Sequence, residues 1–212
     1  MTSGSPSELP VDTPHGPARV VSAGDGGAGT LVLGHGAGGG SESEDLAALA
    51  AEAVAAGWLV HRVDQPWRVA GKRIAPAPPR LDEAWHAVLD RLRVLDRLPG
   101  RLVLGGRSAG ARVACRTAAD QGAAGVLSLA FPLHPPGRPA KSRAPELVAV
   151  PVPLVVVQGE TDAMGLPEHV AAALRGHPGA SVYAVPGDHS LRKNPHLVAA
   201  AAMSWLTEVL PR

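Results

Sequence analysis

Residues Leu102–Val113 read LVLGGRSAGARV. A short apolar run is followed at once by a serine set among glycines, and then by residues that suit a helix. The run predicts a buried strand, and the glycines predict a tight turn from strand to helix. Gly106, Ser108 and Gly110 make the pattern G-x-S-x-G. In a strand-turn-helix setting this pattern lifts a serine hydroxyl above the sheet edge on a strained elbow, and the flanking glycines avoid crowding the turn. A plainer reading fits the same letters: the glycines pack a tight turn and Ser108 caps the helix.

The surroundings of that stretch define the fold class. Short β-branched or leucine-rich runs begin at Ala18, Thr30, Trp58, Arg101, Gly125, Pro153 and Ser181. Segments of helical period lie between them. The clearest is LDEAWHAVLDRLRVLDRL, where Leu81, Trp85, Val88, Leu89, Leu92 and Leu95 share one face. Further helices are expected over 44–56, 109–120, 167–174 and 195–210, the last with Asn194 as N-cap and Pro195 at its first position. Strand and helix alternate, which predicts right-handed crossovers and a three-layer α/β domain with a mainly parallel sheet. Two irregular stretches, 65–80 and 132–146, each follow a strand. Both are therefore expected at the carboxyl edge of the sheet, walling a site.

A serine hydroxyl is a weak nucleophile at neutral pH and needs a base, which in turn needs an orienting group. Downstream, VVVQGETDAMG carries Asp162 just after one strand, and VYAVPGDHS carries His189 just after the next. The order Ser108, Asp162, His189, each beyond its own strand, is the order that α/β-hydrolase triads follow along a chain. Glu160 is the alternative acid. Asp188 adjoins His189, too close in sequence to reach its ring nitrogen, and is expected to shape the turn. His169, His177 and His196 are expected at the surface. The glycine-rich LGHGAGGGSESE offers backbone N–H groups to a developing oxyanion, by position those of Ala37 and Ala109. A phosphate loop is the competing reading of that stretch, but the terminal Gly-Lys-Ser/Thr is missing and acidic residues follow.

Composition narrows the partners. The chain has 212 residues, 45% of them hydrophobic, and a formal net charge of +1. That length suits one domain with a substantial core. Scattered charge without a basic stripe argues against nucleic acid. The longest apolar stretch, Leu147–Val157, is too short to cross a bilayer, so no membrane association is expected. One cysteine, Cys115, excludes an internal disulfide; it suits a reducing, cytoplasmic setting and a small buried side chain. The histidines show no metal-ligand spacing, and neither metal nor cofactor is expected. Residues 1–16 lack a secretory signal's features and read as a flexible N-terminal arm.

With these residues assembled, the chain resembles the α/β-hydrolase superfamily, nearest its small dienelactone-hydrolase-like branch and the testis-expressed and chromatin-complex hydrolase-like proteins within it. The resemblance runs from Thr30 to Arg212 through GHGAGG, GGRSAGAR, PLHPPGRP, VQGETDAMG and GDHS. It implies an α/β-hydrolase domain over residues 17–212, and too few residues separate the Gly125 and Pro153 runs to hold a cap domain. It also implies a Ser108–Asp162–His189 triad and an oxyanion site in the turn His35–Gly38. Where relatives carry F-N-F-P-Y this chain has VDQPW, so Trp67 falls at a pocket-wall position. Arg107 and Ala111 stand where relatives often have Lys and Gly. Dienelactone hydrolases proper use cysteine as nucleophile, so their substrate does not transfer to a serine chain.

The expectation is therefore a serine hydrolase acting on a small carboxylic ester or related acyl compound. His35, Trp67, Phe131, Leu133, His134 and Met164 are the candidate substrate-binding residues. Two alternatives stay open: a non-catalytic interaction module of the same fold, and the same triad acting on a thioester or carbon–carbon bond.

Overall fold

The computed structural model describes residues 6–209. Eight strands form one sheet: β1 (Ser7–Thr13), β2 (Gly16–Ala23), β3 (Gly29–Gly34), β4 (Trp58–Asp64), β5 (Leu102–Arg107), β6 (Gly125–Leu129), β7 (Leu154–Gly159) and β8 (Ala180–Val185). Among the described residues seven helices accompany them: α1 (Glu44–Ala55), α2 (Pro66–Val69), α3 (Pro78–Val94), α4 (Ala109–Thr117), α5 (Ala144–Val148), α6 (Pro167–Ala173) and α7 (Pro195–Val209). The strand order is β1-β2-β4-β3-β5-β6-β7-β8. From β4 to β8 every pairing is parallel, while β1–β2 and β2–β4 are antiparallel.

Strand periodicity separates two cores, because successive side chains leave opposite faces of a sheet. Val32, Leu104, Val126 and Val156 pack on one face with Trp85, Leu89 and Leu92 of α3. Leu31, Leu33, Val103, Leu127, Val155 and Val157 pack on the other with Leu46 and Leu49 of α1 and Trp205 of α7. Parallel strands covered on both faces are continuous apolar runs for this reason. In α3 the buried positions Leu81, Ala84, Trp85, Val88, Leu89 and Leu92 recur at helical spacing. Four helices begin on proline, at Pro66, Pro78, Pro167 and Pro195, where the missing N–H costs nothing. Asn194 caps α7 through Oδ1, which accepts the Leu197 N–H at 3.1 Å.

The expected arm over 1–16 is corrected within the described residues. Ser7–Thr13 is an edge strand whose partner is β2, with Val11 buried against the core. Its alternation ELPVDT is short and interrupted by Pro10, which an edge strand tolerates because one side of its backbone needs no partner. Residues 1–5 lie outside the described residues, as does Leu210, the expected end of α7. The two wall stretches each contain a short helix, α2 and α5. Between β6 and β7 only α5 intervenes, so the described residues contain no cap domain.

Candidate active site

Ser108 ends the strand-to-helix turn with φ 53° and ψ −105°, a conformation that non-glycine residues rarely adopt. Close approach explains its flanking glycines. A Cβ on Gly110 would lie 2.2 Å from the Gly34 carbonyl oxygen, and one on Gly106 would lie 2.3 Å from the same atom. The end of β3 and the start of α4 thus touch through backbone alone. The Ser108 side chain makes no cap bond to α4, which removes the capping role from the plainer reading of the motif. Its Oγ instead donates toward His189 Nε2 at 2.8 Å.

His189 follows β8 and is partly buried. Its Nδ1 lies 2.7 Å from Asp162 Oδ2. A carboxylate only accepts, so Nδ1 carries the proton and Nε2 presents its lone pair to the serine. Asp162 is 1% exposed and follows β7. Its Oδ1 accepts the Met164 N–H at 2.8 Å, and its Oδ2 also accepts from the side chain of Gln158 at 2.8 Å. The two turns are stitched together: Glu160 N–H donates to Val185 O at 2.9 Å and Thr161 N–H to Gly187 O at 3.0 Å. Gly159 permits this, since a Cβ there would sit 2.6 Å from the carbonyls of Gly187 and Asp188. Glu160 is exposed, and the carboxylate that His189 Nδ1 meets is that of Asp162. Asp188 shapes its turn as expected, accepting from Ser190 Oγ and N–H; the Ser190 hydroxyl holds its carboxyl below the usual range.

The glycine-rich turn lies beside this constellation. Gly39 N–H donates to Gly36 O at 3.2 Å, which leaves Ala37 exposed at the tip. Ala109 is the first residue of α4, so its N–H has no partner within the helix. His35 departs from expectation. It is 2% exposed, its Nδ1 donates to Gly36 O at 2.9 Å, and its Nε2 accepts the Gln65 N–H at 3.1 Å. Burial holds its pKa below the ordinary histidine value, consistent with a neutral ring. Both nitrogens are committed, so His35 fastens the turn and does not meet a substrate.

Three fastenings of that turn were not visible in the sequence. Asp64, at the end of β4, accepts from Ser41 N–H at 2.7 Å and from Ser41 Oγ at 3.0 Å, and Arg19 closes on it from β2 at 2.6 Å. Burial would raise the Asp64 pKa, but these bonds outweigh it and hold the carboxyl below its usual range. From below, the buried Arg107 guanidinium lies against Gly36 and Gly39 and pairs with Asp45 at 3.3 Å. A Cβ on Gly36 would meet that guanidinium at 2.9 Å. A buried acid closing the run WLVHRVD was the one available signal.

Of the other wall candidates, Phe131 is corrected: it is wholly buried in the core, and only its carbonyl serves the site. Leu133 at 7% and Trp67 at 6% exposure belong to the same core, Trp67 with its ring 5.3 Å from that of His35. His134 and Met164 remain partly exposed and are joined, His134 N–H donating to Met164 O at 3.0 Å. A void of about 10 Å³ behind the elbow is lined by Gly34, Trp67, Trp85 and Ala109. Trp67 also lines a cavity of about 90 Å³, together with Lys72, Ile74 and Arg80. His169 and His196 are exposed, and His177 bonds Val150 O at 2.7 Å, away from the site. Cys115 is fully buried, and burial pushes its thiol up to about 12. No group of three or more potential metal ligands occurs among the described residues.

A family profile described as alpha/beta hydrolase domain matches residues 27–205, and the chain belongs to the α/β-hydrolase family. Several solved structures share the fold. A lidless α/β serine hydrolase of Xanthomonas campestris is 20% identical, with TM-score 0.78 over 100% of this chain and 98% of that one. An α/β serine hydrolase homologue of Coxiella burnetii is 19% identical, with TM-score 0.78 over 96% and 99%. Est1E of Butyrivibrio proteoclasticus is 15% identical, with TM-score 0.80 over 97% and 99%. No curated protein matches the chain by sequence.

Proposed function

We propose that the protein is a serine hydrolase that cleaves a small carboxylic ester, or a related acyl compound, through an acyl-enzyme intermediate. The observation that carries this reading is the continuous chain from Ser108 Oγ through His189 to Asp162, with bonds of 2.8 Å and 2.7 Å. Ser108 Oγ attacks the carbonyl carbon while its proton passes to His189 Nε2. The N–H groups of Ala37 and Ala109 receive the developing oxyanion. Collapse of the intermediate breaks the bond to the leaving alcohol, which takes the proton from Nε2. Water, deprotonated by the same nitrogen, then releases the acid and restores Ser108. Asp162 holds the imidazole in the required tautomer and balances its charge when protonated.

The substrate is a small molecule reached without a lid, because the loops over the site carry only the short helices α2 and α5. Phrases shared with the dienelactone-hydrolase-like branch support the reading, as do esterases among proteins of the same fold. We place the enzyme in the cytoplasm, on the strength of its one unpaired, buried cysteine.

Labelling by a fluorophosphonate probe tests the proposal, since only an activated serine reacts. Wild type should label and Ser108→Ala should not; a panel of short esters, thioesters and cleavable diketones then ranks the chemistries. An unlabelled wild type would leave the fold as an interaction module and overturn the hydrolase reading.

A further inference from the structure

We propose that Gln158 is a positioning residue that fixes Asp162, and through it His189, in the orientation the reaction needs; this rests on the serine-hydrolase reading. Gln158 lies in β7 and is fully buried. Its Nε2 faces three acceptors: Asp162 Oδ2 at 2.8 Å, Gly165 O at 2.8 Å and Phe131 O at 3.2 Å. Three acceptors around one nitrogen fix which way the amide points, because turning Oε1 into that position would oppose oxygen to oxygen. Gln158 therefore donates to the same carboxylate oxygen that receives the His189 Nδ1–H.

Packing alone gives no reason for an amide here. Gln158 Oε1 is buried without a hydrogen-bond partner, which is costly; an apolar side chain of the same length would remove that orphan, at the expense of the donor to Asp162 Oδ2 and Gly165 O. What the amide alone supplies is the pair of N–H hydrogens. One steadies the carboxylate as an anion and holds Oδ2 against His189 Nδ1. The other ties Gly165, the far end of the acid turn. Gly165 is itself constrained, with φ 143° and Leu133 Cβ only 2.7 Å from where its own Cβ would stand. The weaker contact to Phe131 O links the acid turn to the loop after β6. The spacing from Gln158 to Asp162 and Gly165 is thus one hydrogen-bonded unit.

The rate of fluorophosphonate labelling of Ser108 tests this without knowledge of the natural substrate. Gln158→Met keeps length and apolar packing but donates nothing. It should fold, yet label on the order of 10- to 100-fold more slowly, the usual cost of removing an outer hydrogen bond from a working group. Gln158→Glu separates positioning from packing. Fully buried beside Asp162, its carboxyl ionises only well above the ordinary glutamate range; as a neutral acid, at about pH 6, it can donate one bond to Asp162, and as a carboxylate, at about pH 10, it donates none and repels. Its labelling rate relative to wild type should fall between those values, and this variant alone decides the matter if Gln158→Met does not fold. Equal labelling of folded Gln158→Met and wild type, or a Gln158→Glu profile parallel to wild type, would overturn the role of Gln158. Failure of wild type itself to label would overturn the hydrolase reading and this inference together.

Discussion

Ser108 holds a backbone conformation that costs on the order of 1–3 kcal/mol, and it persists because the surrounding contacts leave no alternative. Its amide donates to Leu129 O at 2.9 Å, and its carbonyl accepts from Arg112 at 3.1 Å. If the hydroxyl is the nucleophile, Ser108→Ala and His189→Ala should each lower kcat for a short activated ester about a thousandfold or more while thermal unfolding changes little. The same assay ranks the two acids: Asp162→Asn should lose far more activity than Glu160→Gln, because only Asp162 reaches the imidazole. The glycines give a stability test independent of catalysis. Gly110→Ala drives a methyl into the Gly34 carbonyl and should cost about 3 kcal/mol or more, whereas Gly38→Ala, with nothing within 4 Å, should stay within about 0.5 kcal/mol. Chemical denaturation of the pair measures both.

The site is assembled from turns, and the glycine-rich turn is held by elements other than its own strand. The glycine-rich turn after β3 is fastened by Asp64 and Gln65 from the end of β4 and by Arg107 from β5. Helix α5 is clamped to α4 by Glu146, which takes both Arg112 Nε at 2.8 Å and Arg116 Nη1 at 3.1 Å. Burial would raise the Glu146 pKa, but the two guanidinium groups outweigh it and hold the carboxyl below its usual range. Trp67, at the start of α2, lines both the void behind the elbow and the larger cavity. Trp67→Ala should therefore cost about 3–5 kcal/mol in denaturant unfolding, as large core truncations do. It should also join the two spaces, so that activity declines less steeply as the acyl chain of an ester substrate lengthens. An unchanged chain-length profile would remove Trp67 from the acyl wall.

Across the whole molecule, pH should reveal which polar groups the core has enclosed. His35 and His61 are buried, and burial holds both pKa values below the ordinary histidine value. For His61 the bond from Nε2 to Arg97 O, at 2.7 Å, opposes that shift, but burial outweighs it. Above about pH 6.5 folded and unfolded chains are alike in this respect and the stability is fully present. Below it the unfolded chain takes up protons that the folded chain refuses, so stability falls with pH. Asp64 and Glu146 have lowered pKa values when folded, so their contribution is present above about pH 4 and is lost as pH drops through those lower values. The unfolding midpoint should thus be level above about pH 7, decline below 6.5 and decline more steeply below 4. His61→Gln should flatten the first decline.

Most of the α/β architecture was legible because parallel strands buried on both faces are written as unbroken apolar runs, and prolines mark where four helices begin. Ser108, Asp162 and His189 were legible for a related reason: in such a sheet, the residues after each strand share one edge. The edge strand β1 was not, because half of its pairing capacity and most of its side chains face solvent, so neither pattern nor composition constrains it. Nor were the roles of His35 and Phe131, whose residue types suit a pocket wall and a core equally; only packing showed both to be enclosed. Gln158, Asp64 and Arg107 act on groups 27, 23 and 62 residues away in the chain, at Phe131, Ser41 and Asp45. A strand-edge serine and its partners follow from local pattern, since each needs only its own strand and turn. The hydrogen bonds that hold those turns against one another depend on which strands become neighbours, and that is decided by the tertiary fold.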